Sequence, residues 1–299
     1  MKHLTFERTG PFGTPIRGDI RYLPDEAGAP ASLSSAVVIV HGFKGFKDWG
    51  FFPWVGEALA RAGHVTITFD FSLNGTTPDQ ADVVRLDAFA RNTFSRELDE
   101  LRWVLAQVAE GDLLPTPPEA VGVLGHSRGG GVAVLAVRED PVVDSLVTWA
   151  SVATFDRWDP PTKERWRTTG RVHTRNARTG QDLPLDRTLL EDLEGNASRL
   201  DVEAAASEVK VPWLVLHGTE DESVPDSEAV LLAEAAPAAR LARLEGAGHT
   251  FGAAHPLEEP GPHLACAVRA TVDHFDRTLR GTEAPPSQDH PADGTEPDG

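Results

Sequence analysis

The chain has 299 residues, 40% of them hydrophobic and 25% charged, the make-up of a soluble globular protein with enough length for one sizeable core. Its 28 Lys and Arg against 46 Asp and Glu give a formal charge of −18. That balance speaks against nucleic acid or an anionic membrane as a general partner, since both need a surplus of basic residues.

The opening "MKHLTFERTG" has no apolar core of the signal-peptide kind. No window approaches the roughly 18 apolar residues of a membrane span. A reducing cytoplasm is therefore the expected compartment and no membrane partner is expected. "LTFER" and "IRGDIRYLP" suggest an opening antiparallel pair, and "AVVIVHG" (36–42) is a continuous apolar run, as in a strand buried on both faces. "WVGEALARAG" (54–63) is amphipathic and stops at a glycine, and "HVTITFDF" reads as the next strand. "TFSRELDELRWVLAQVAEG" (93–111) places Leu98, Leu101, Val104 and Leu105 on one helical stripe, with Thr93 as its N-cap. "AVGVLGH" is a strand, "SRGGGVAVLAVRE" a helix and "VVDSLVTWASV" a strand. After a gap of about sixty residues come the strand "VPWLVLHG" (211–218), the helix "DSEAVLLAEAAP", the strand "ARLARLEG" and the closing helix "PHLACAVRATVDHFDRTLR". The single cysteine, Cys266, lies in that last helix; it excludes an intrachain disulfide and reads as a small buried hydrophobe. From Gly281 onward (281–299) the chain is rich in Pro, Gly and acids and reads as a disordered acidic tail. No internal repeat is visible.

Strand–helix alternation of this regularity implies a mainly parallel eight-stranded sheet with helices on both faces, spanning residues 1–280. In such sheets functional residues gather in loops at the carboxyl ends of the strands. Four such loops matter here: His41-Gly42-Phe43-Lys44-Gly45, Gly125-His126-Ser127-Arg128-Gly129, the run from His217 to Pro225, and Gly246 to Gly252.

In the second loop an abrupt strand-to-helix turn forces Ser127 into a strained conformation above the sheet, and Gly125 and Gly129 remove side chains that would collide. A helix N-cap serine would fit the same residues, but the position between a buried strand and a helix favours a nucleophile. A serine hydroxyl needs a base, and His249, in a glycine-rich loop after the last strand, is the candidate; His255 is its rival, while His126 should point away from the hydroxyl. The base needs a carboxylate to hold one tautomer, and Asp221 leads over Glu220, Glu222 and Asp226. Negative charge on an acyl oxygen needs fixed donors, for which the backbone N–H groups of Phe43 and Arg128 are placed.

These motifs, "VVIVHGFKG", "GHSRGG", "LVLHGTEDESVP" and "GAGHTFG" in that order, resemble the α/β-hydrolase superfamily over residues 15 to 280. Within it the chain looks like the bacterial dienelactone-hydrolase-like and cinnamoyl (feruloyl) esterase-like group. The resemblance implies an α/β-hydrolase fold with a cap insertion at about 152–210, and a serine esterase with a Ser127–His249–Asp221 triad, a small-molecule ester substrate and no cofactor. Dienelactone hydrolases proper use a cysteine where this chain has Ser127, which points away from dienelactone hydrolysis and toward ordinary ester cleavage. A dehalogenase-like member would carry Asp there.

In the expected cap, Trp158 and Trp166 are candidate walls of an apolar pocket for the substrate. Between Phe155 and Leu189 eight Lys/Arg stand against five Asp/Glu, a local surplus in an acidic protein. It either draws an anionic substrate group or pairs with acids of the main domain, and pairing is the expectation. The rival functions are a serine peptidase of the same fold acting on short peptides, and a hydrolase fold that only binds. No HExxH or paired CxxC suggests a metal, and no GxGxxG follows the first buried strand. The natural ester and the oligomeric state are not encoded in any motif.

Overall fold

The computed structural model describes residues 1–78 and 82–281. The acidic tail expected after Gly281 lies outside the described residues.

In chain order the elements are β1 (Lys2–Thr9), β2 (Pro15–Tyr22), β3 (Ala36–Val40), α1 (Phe52–Arg61), β4 (Val65–Asp70), α2 (Leu86–Ala90), α3 (Phe94–Ala109), β5 (Val121–His126), α4 (Arg128–Glu139) and β6 (Ser145–Trp149). Then come α5 (Pro160–Thr169), β7 (Arg171–Arg175), β8 (Asp182–Asp186), α6 (Arg187–Gly195), α7 (Val202–Glu208), β9 (Trp213–Gly218), α8 (Asp226–Ala235), β10 (Ala239–Leu244) and α9 (Pro262–Arg280).

Eight strands form one sheet in the order β1-β2-β4-β3-β5-β6-β9-β10. The pairs from β4 to β10 are all parallel, while β1, β2 and β4 pair antiparallel. The sheet is buried on both sides because its central strands are apolar at both parities. In β3, Val38 and Val40 enter the core on one face and Val37 and Ile39 the core on the other. In β9, Trp213 and Val215 face one way and Leu214 and Leu216 the other. Helices α1 and α9 cover one face through Val55, Leu59, Leu264 and Phe275. Helices α3, α4, α7 and α8 cover the opposite face.

Each helix begins and ends for local reasons. Thr93 sits in extended backbone at the start of α3 and its side chain accepts from the Arg96 N–H. Leu98, Leu101, Val104, Leu105 and Val108 then form the buried stripe of that helix. Asp159 caps α5 by accepting from the Thr162 N–H, Pro160 opens the helix, and Gly170 closes it in the left-handed region at φ 76°. Cys266 is half-buried rather than buried, because it lies at the margin of the stripe formed by Leu264, Ala267 and Val268.

The chain leaves β3 for β4 on one side and returns to β5 on the other. This reversal opens a crevice at the carboxyl ends of β3 and β5, where open α/β sheets bind ligands. The loop after β3 and the Ser127 turn after β5 meet there. Above them stands the insertion between β6 and β9, made of α5, the β7–β8 hairpin and α6. The helix that follows it, α7, packs on α4 and α8 and belongs to the helical layer on the sheet.

The basic surplus of the insertion is mostly paired. Arg157 bonds Glu228 at 2.8 Å and Arg178 reaches Asp82 at 3.1 Å, both on the main body. Arg167, Arg171, Arg175 and Arg187 pair with Glu194, Asp186, Asp182 and Glu191 inside the insertion. No helix among the described residues is long and apolar enough to cross a membrane.

Candidate active site

Ser127 has φ 57° and ψ −122°, a backbone conformation that side chains other than hydrogen rarely adopt. It persists because the neighbourhood fixes it. The Ser127 N–H donates to the Trp149 carbonyl at 2.9 Å, and its own carbonyl accepts from Gly130 and Val152. The turn also needs its glycines: a Cβ on Gly125 would run into Gly129 and Gly130, and one on Gly129 into the Val40 and His41 carbonyls. A Cβ on Gly130 would meet Ser151. The result is a serine hydroxyl raised over the sheet at the N-terminus of α4.

The hydroxyl is 3.1 Å from Nε2 of His249, and Nδ1 of the same ring is 2.7 Å from Oδ2 of Asp221. The three side chains, brought from the ends of β5, β9 and β10, form one continuous file. Asp221 is held by the loop it belongs to, since its Oδ1 accepts the N–H groups of Ser223 and Val224 at 2.8 and 2.9 Å. Burial alone would raise its pKa, but hydrogen bonds from His217 and His249, the charge of His249 and the Val224 N–H outweigh burial and hold the carboxyl well below the usual carboxylate range. A fixed anion beside Nδ1 selects the tautomer in which Nε2 is free to accept the serine proton.

The rival residues are placed for other tasks. Glu220 and Glu222 are exposed, and Asp226 pairs with Arg243. Nδ1 of His255 accepts the Gly50 N–H at 2.9 Å. His126 donates from Nε2 to the His249 carbonyl at 3.0 Å, and its ring lies 4.8 Å from that of His249. Burial, and after it the neighbouring His249, push His126 down to about 3, so it stays neutral and braces the loop of the other imidazole.

Sequence reasoning missed His217. This side chain is fully buried, donates from Nε2 to the Val224 carbonyl at 3.0 Å and lies 3.3 Å from Oδ2 of Asp221. Burial opposes its charged form, yet the hydrogen bonds to Asp221 and Val224 prevail and raise its pKa. Its signal was a polar residue ending an otherwise apolar strand.

The loop after β3 makes a tight turn in which the Gly45 N–H donates to the Gly42 carbonyl at 3.0 Å. Phe43 is its second residue, and Gly42 lies against Ser127, where a Cβ would come within 3.0 Å of both the Ser127 Cβ and the His126 carbonyl. The two residues expected to supply oxyanion donors, Phe43 and Arg128, thus follow directly on Gly42 and Ser127. Their side chains also meet: the Arg128 guanidinium lies 3.8 Å from the Phe43 ring centroid and 4.7 Å from that of Phe94.

A cavity of about 600 Å³ opens from Ser127 and His249 toward the insertion. Phe43, Trp49, Phe52, Phe94, Phe155 and Trp158 give it an aromatic lining. Trp158 is half-buried and faces it. Trp166, expected beside Trp158, is not a cavity wall: it is fully buried, its Nε1 donates to the Leu185 carbonyl at 2.9 Å, and its ring meets the Trp158 ring edge-on at 5.1 Å. Its place is behind Trp158, as a support for the insertion. Among the described residues no group of three or more His, Cys, Asp or Glu is placed to hold a metal ion.

The comparisons with known proteins agree with this architecture. A curated relative, 2,6-dihydropseudooxynicotine hydrolase of Paenarthrobacter nicotinovorans, is 32% identical over 132 residues, a stretch that covers 41% of this chain and only 30% of the relative. Among solved structures, Est1E of Butyrivibrio proteoclasticus with ferulic acid bound superposes with a TM-score of 0.68 at 18% identity, covering 90% of this chain and 97% of that one. A dienelactone hydrolase of Anabaena variabilis gives 0.60 at 18% identity, covering 93% and 99%. At that identity the likeness is one of fold. The model of the alpha/beta hydrolase family matches residues 37–261, and with most of its length inside that match this chain belongs to the alpha/beta hydrolase family.

Proposed function

We propose that this protein cleaves carboxylic esters through an acyl-serine intermediate. The observation that carries the reading is the unbroken file from the Ser127 hydroxyl through His249 to Asp221, with the strained serine facing an aromatic cavity. His249 Nε2 takes the serine proton as Oγ attacks the ester carbonyl, then returns it to the leaving alcohol. Water repeats the sequence to release the acid. Asp221 holds the tautomer and stabilises the imidazolium. The Phe43 and Arg128 N–H groups receive the oxyanion, where one such donor is typically worth about 3 kcal/mol. Arg128 is the first residue of α4, so the helix dipole adds to its donor.

The reading is tested by assaying p-nitrophenyl acetate beside an aminoacyl p-nitroanilide. Faster turnover of the ester is the expected result, and a preference for the anilide makes the protein a peptidase.

The two tryptophans should separate by phenotype. Trp158→Ala removes a cavity wall. Stacking of an aromatic substrate ring on that wall is worth about 0.5–1.5 kcal/mol beyond burial, up to roughly tenfold in rate constant. The substitution should lower kcat/KM for aryl esters while leaving p-nitrophenyl acetate much less affected. Trp166→Ala should instead lower stability by about 3–5 kcal/mol, the usual cost of emptying a fully buried tryptophan site. A thermal melt beside a substrate panel reads both.

A further inference from the structure

The cavity lining has a charge pattern that ester cleavage does not require. Among the described residues that line it, Lys44, Arg128, Arg157, Arg175 and Arg178 are cationic and none is acidic, in a protein of net charge −18. Arg157 is bonded to Glu228, Arg175 to Asp182 and Arg178 to Asp82. Lys44 differs. Among the described residues no carboxylate pairs with it; its Nζ donates to the Arg175 carbonyl at 2.6 Å and lies 5.1 Å from the Phe43 ring centroid. Arg128 has one acidic neighbour, Glu97, at 3.5 Å, and reaches the same phenyl ring. Two cations therefore gather at Phe43, one residue from Gly42, which abuts Ser127.

From this geometry we infer that the site selects esters carrying a carboxylate elsewhere in the molecule, held by Lys44 and Arg128 beside Phe43. The inference rests on the ester-cleavage reading for its reaction but not for its binding. Three features support it. Lys44 occupies the third position of the turn at φ 63°, where a glycine would be strain-free, and the Arg175 carbonyl holds its ammonium at 2.6 Å. Burial, and after it the charge of Arg128, lower the pKa of Lys44, which is the mark of a cation lacking its counter-ion. The aromatic lining lowers the polarity around the pair, which strengthens a charge-assisted hydrogen bond to a ligand carboxylate. Attraction from the cavity would also offset the repulsion of an anion by the acidic exterior.

The test uses the full-length chain and two isosteric pairs of probes. Calorimetry compares benzoate with benzamide, which need no turnover. Initial rates compare monoethyl terephthalate with ethyl 4-carbamoylbenzoate. The wild type should bind benzoate about tenfold more tightly than benzamide, the size of one good charge-assisted hydrogen bond. It should show a matching preference for the carboxylate ester. Lys44→Met, which keeps a stem of similar length without the charge, and Lys44→Gly, which relieves the turn, should both lose most of the preference, and raising ionic strength should weaken it in the wild type. Equal binding of benzoate and benzamide, or a preference that survives in both variants, overturns the inference. Benzoate selectivity without turnover of either ester leaves the anion site standing and removes ester cleavage. Turnover of both esters without selectivity at Lys44 does the reverse.

Discussion

Ser127→Ala should abolish turnover, by a factor on the order of 10⁶ if the file acts as a unit as serine-protease triads do. It should also remove the single adduct that intact-mass spectrometry detects after fluorophosphonate treatment of the wild type. The size follows from geometry. His249 and Asp221 have no group to deprotonate without Oγ, and the hydroxyl of Thr250, which also lines the cavity, donates to the Ala253 carbonyl at 2.8 Å. A second, independent outcome concerns stability. The Ser127 backbone at φ 57° and ψ −122° is strained for any residue with a Cβ, at a cost of order 1–3 kcal/mol. Ser127→Gly removes the hydroxyl and the strain together, whereas Ser127→Ala keeps the strain. The glycine variant should therefore melt above the alanine variant by about 2–4 °C for each kcal/mol relieved. Equal melting temperatures would mean that the turn is relaxed, and an adduct persisting in Ser127→Ala would place the nucleophile elsewhere.

The parts of this molecule that were legible in its sequence share a physical cause. β3, β5 and β9 are buried on both faces, so nearly every residue in them is apolar and the run declares itself. α3 declares itself through Leu98, Leu101, Val104 and Leu105, although the same helix buries two carboxylates that the pattern reads as solvent-facing. Glu100 accepts from the Ser72 N–H at 2.8 Å and from Arg96 Nε at 2.8 Å, and Glu97 accepts from Asn92 at 2.6 Å while facing Arg128. Pairings across the fold make those residues internal, and periodicity carries no information about them. The insertion was opaque for the opposite reason. It packs one thin side, so α5 buries Trp166 and little else, and β7 is exposed at alternate positions. At the site, loop position brought out Ser127 and His249, while the selection among four nearby carboxylates depends on which one is buried and fed by backbone N–H groups. That is a property of the folded loop, as is the orientation of Trp166 away from the cavity.

Asp221→Asn should cost turnover a factor on the order of 10⁴ with the fold retained. The carboxylate meets four donors: the N–H groups of Ser223 and Val224 at Oδ1, and the rings of His249 and His217 at Oδ2. An asparagine whose oxygen keeps the two backbone bonds must turn its NH₂ toward both rings. His249 then escapes a donor–donor clash only by moving its proton to Nε2, the nitrogen that has to accept from Ser127. The loop survives and the base does not. The same substitution should leave a signature in the pH dependence of stability. Because the folded-state pKa of Asp221 is depressed, its contribution is fully present above the unfolded value of about 3.9 and is lost as pH falls through the lower folded value. His217, whose folded pKa is raised, has the opposite sign: its contribution is complete below the unfolded value of about 6.5 and fades as pH rises through the folded one. In Asp221→Asn both contributions go, so urea melts should show the largest deficit against wild type between about pH 4 and 6.5, narrowing on either side. A variant with near wild-type turnover, paired with a crippled Glu220→Gln or Asp226→Asn, would move the acid to another carboxylate. A deficit that closes in acid but stays constant above about pH 4 would mean that His217 meets Asp221 as a neutral hydrogen-bond donor only.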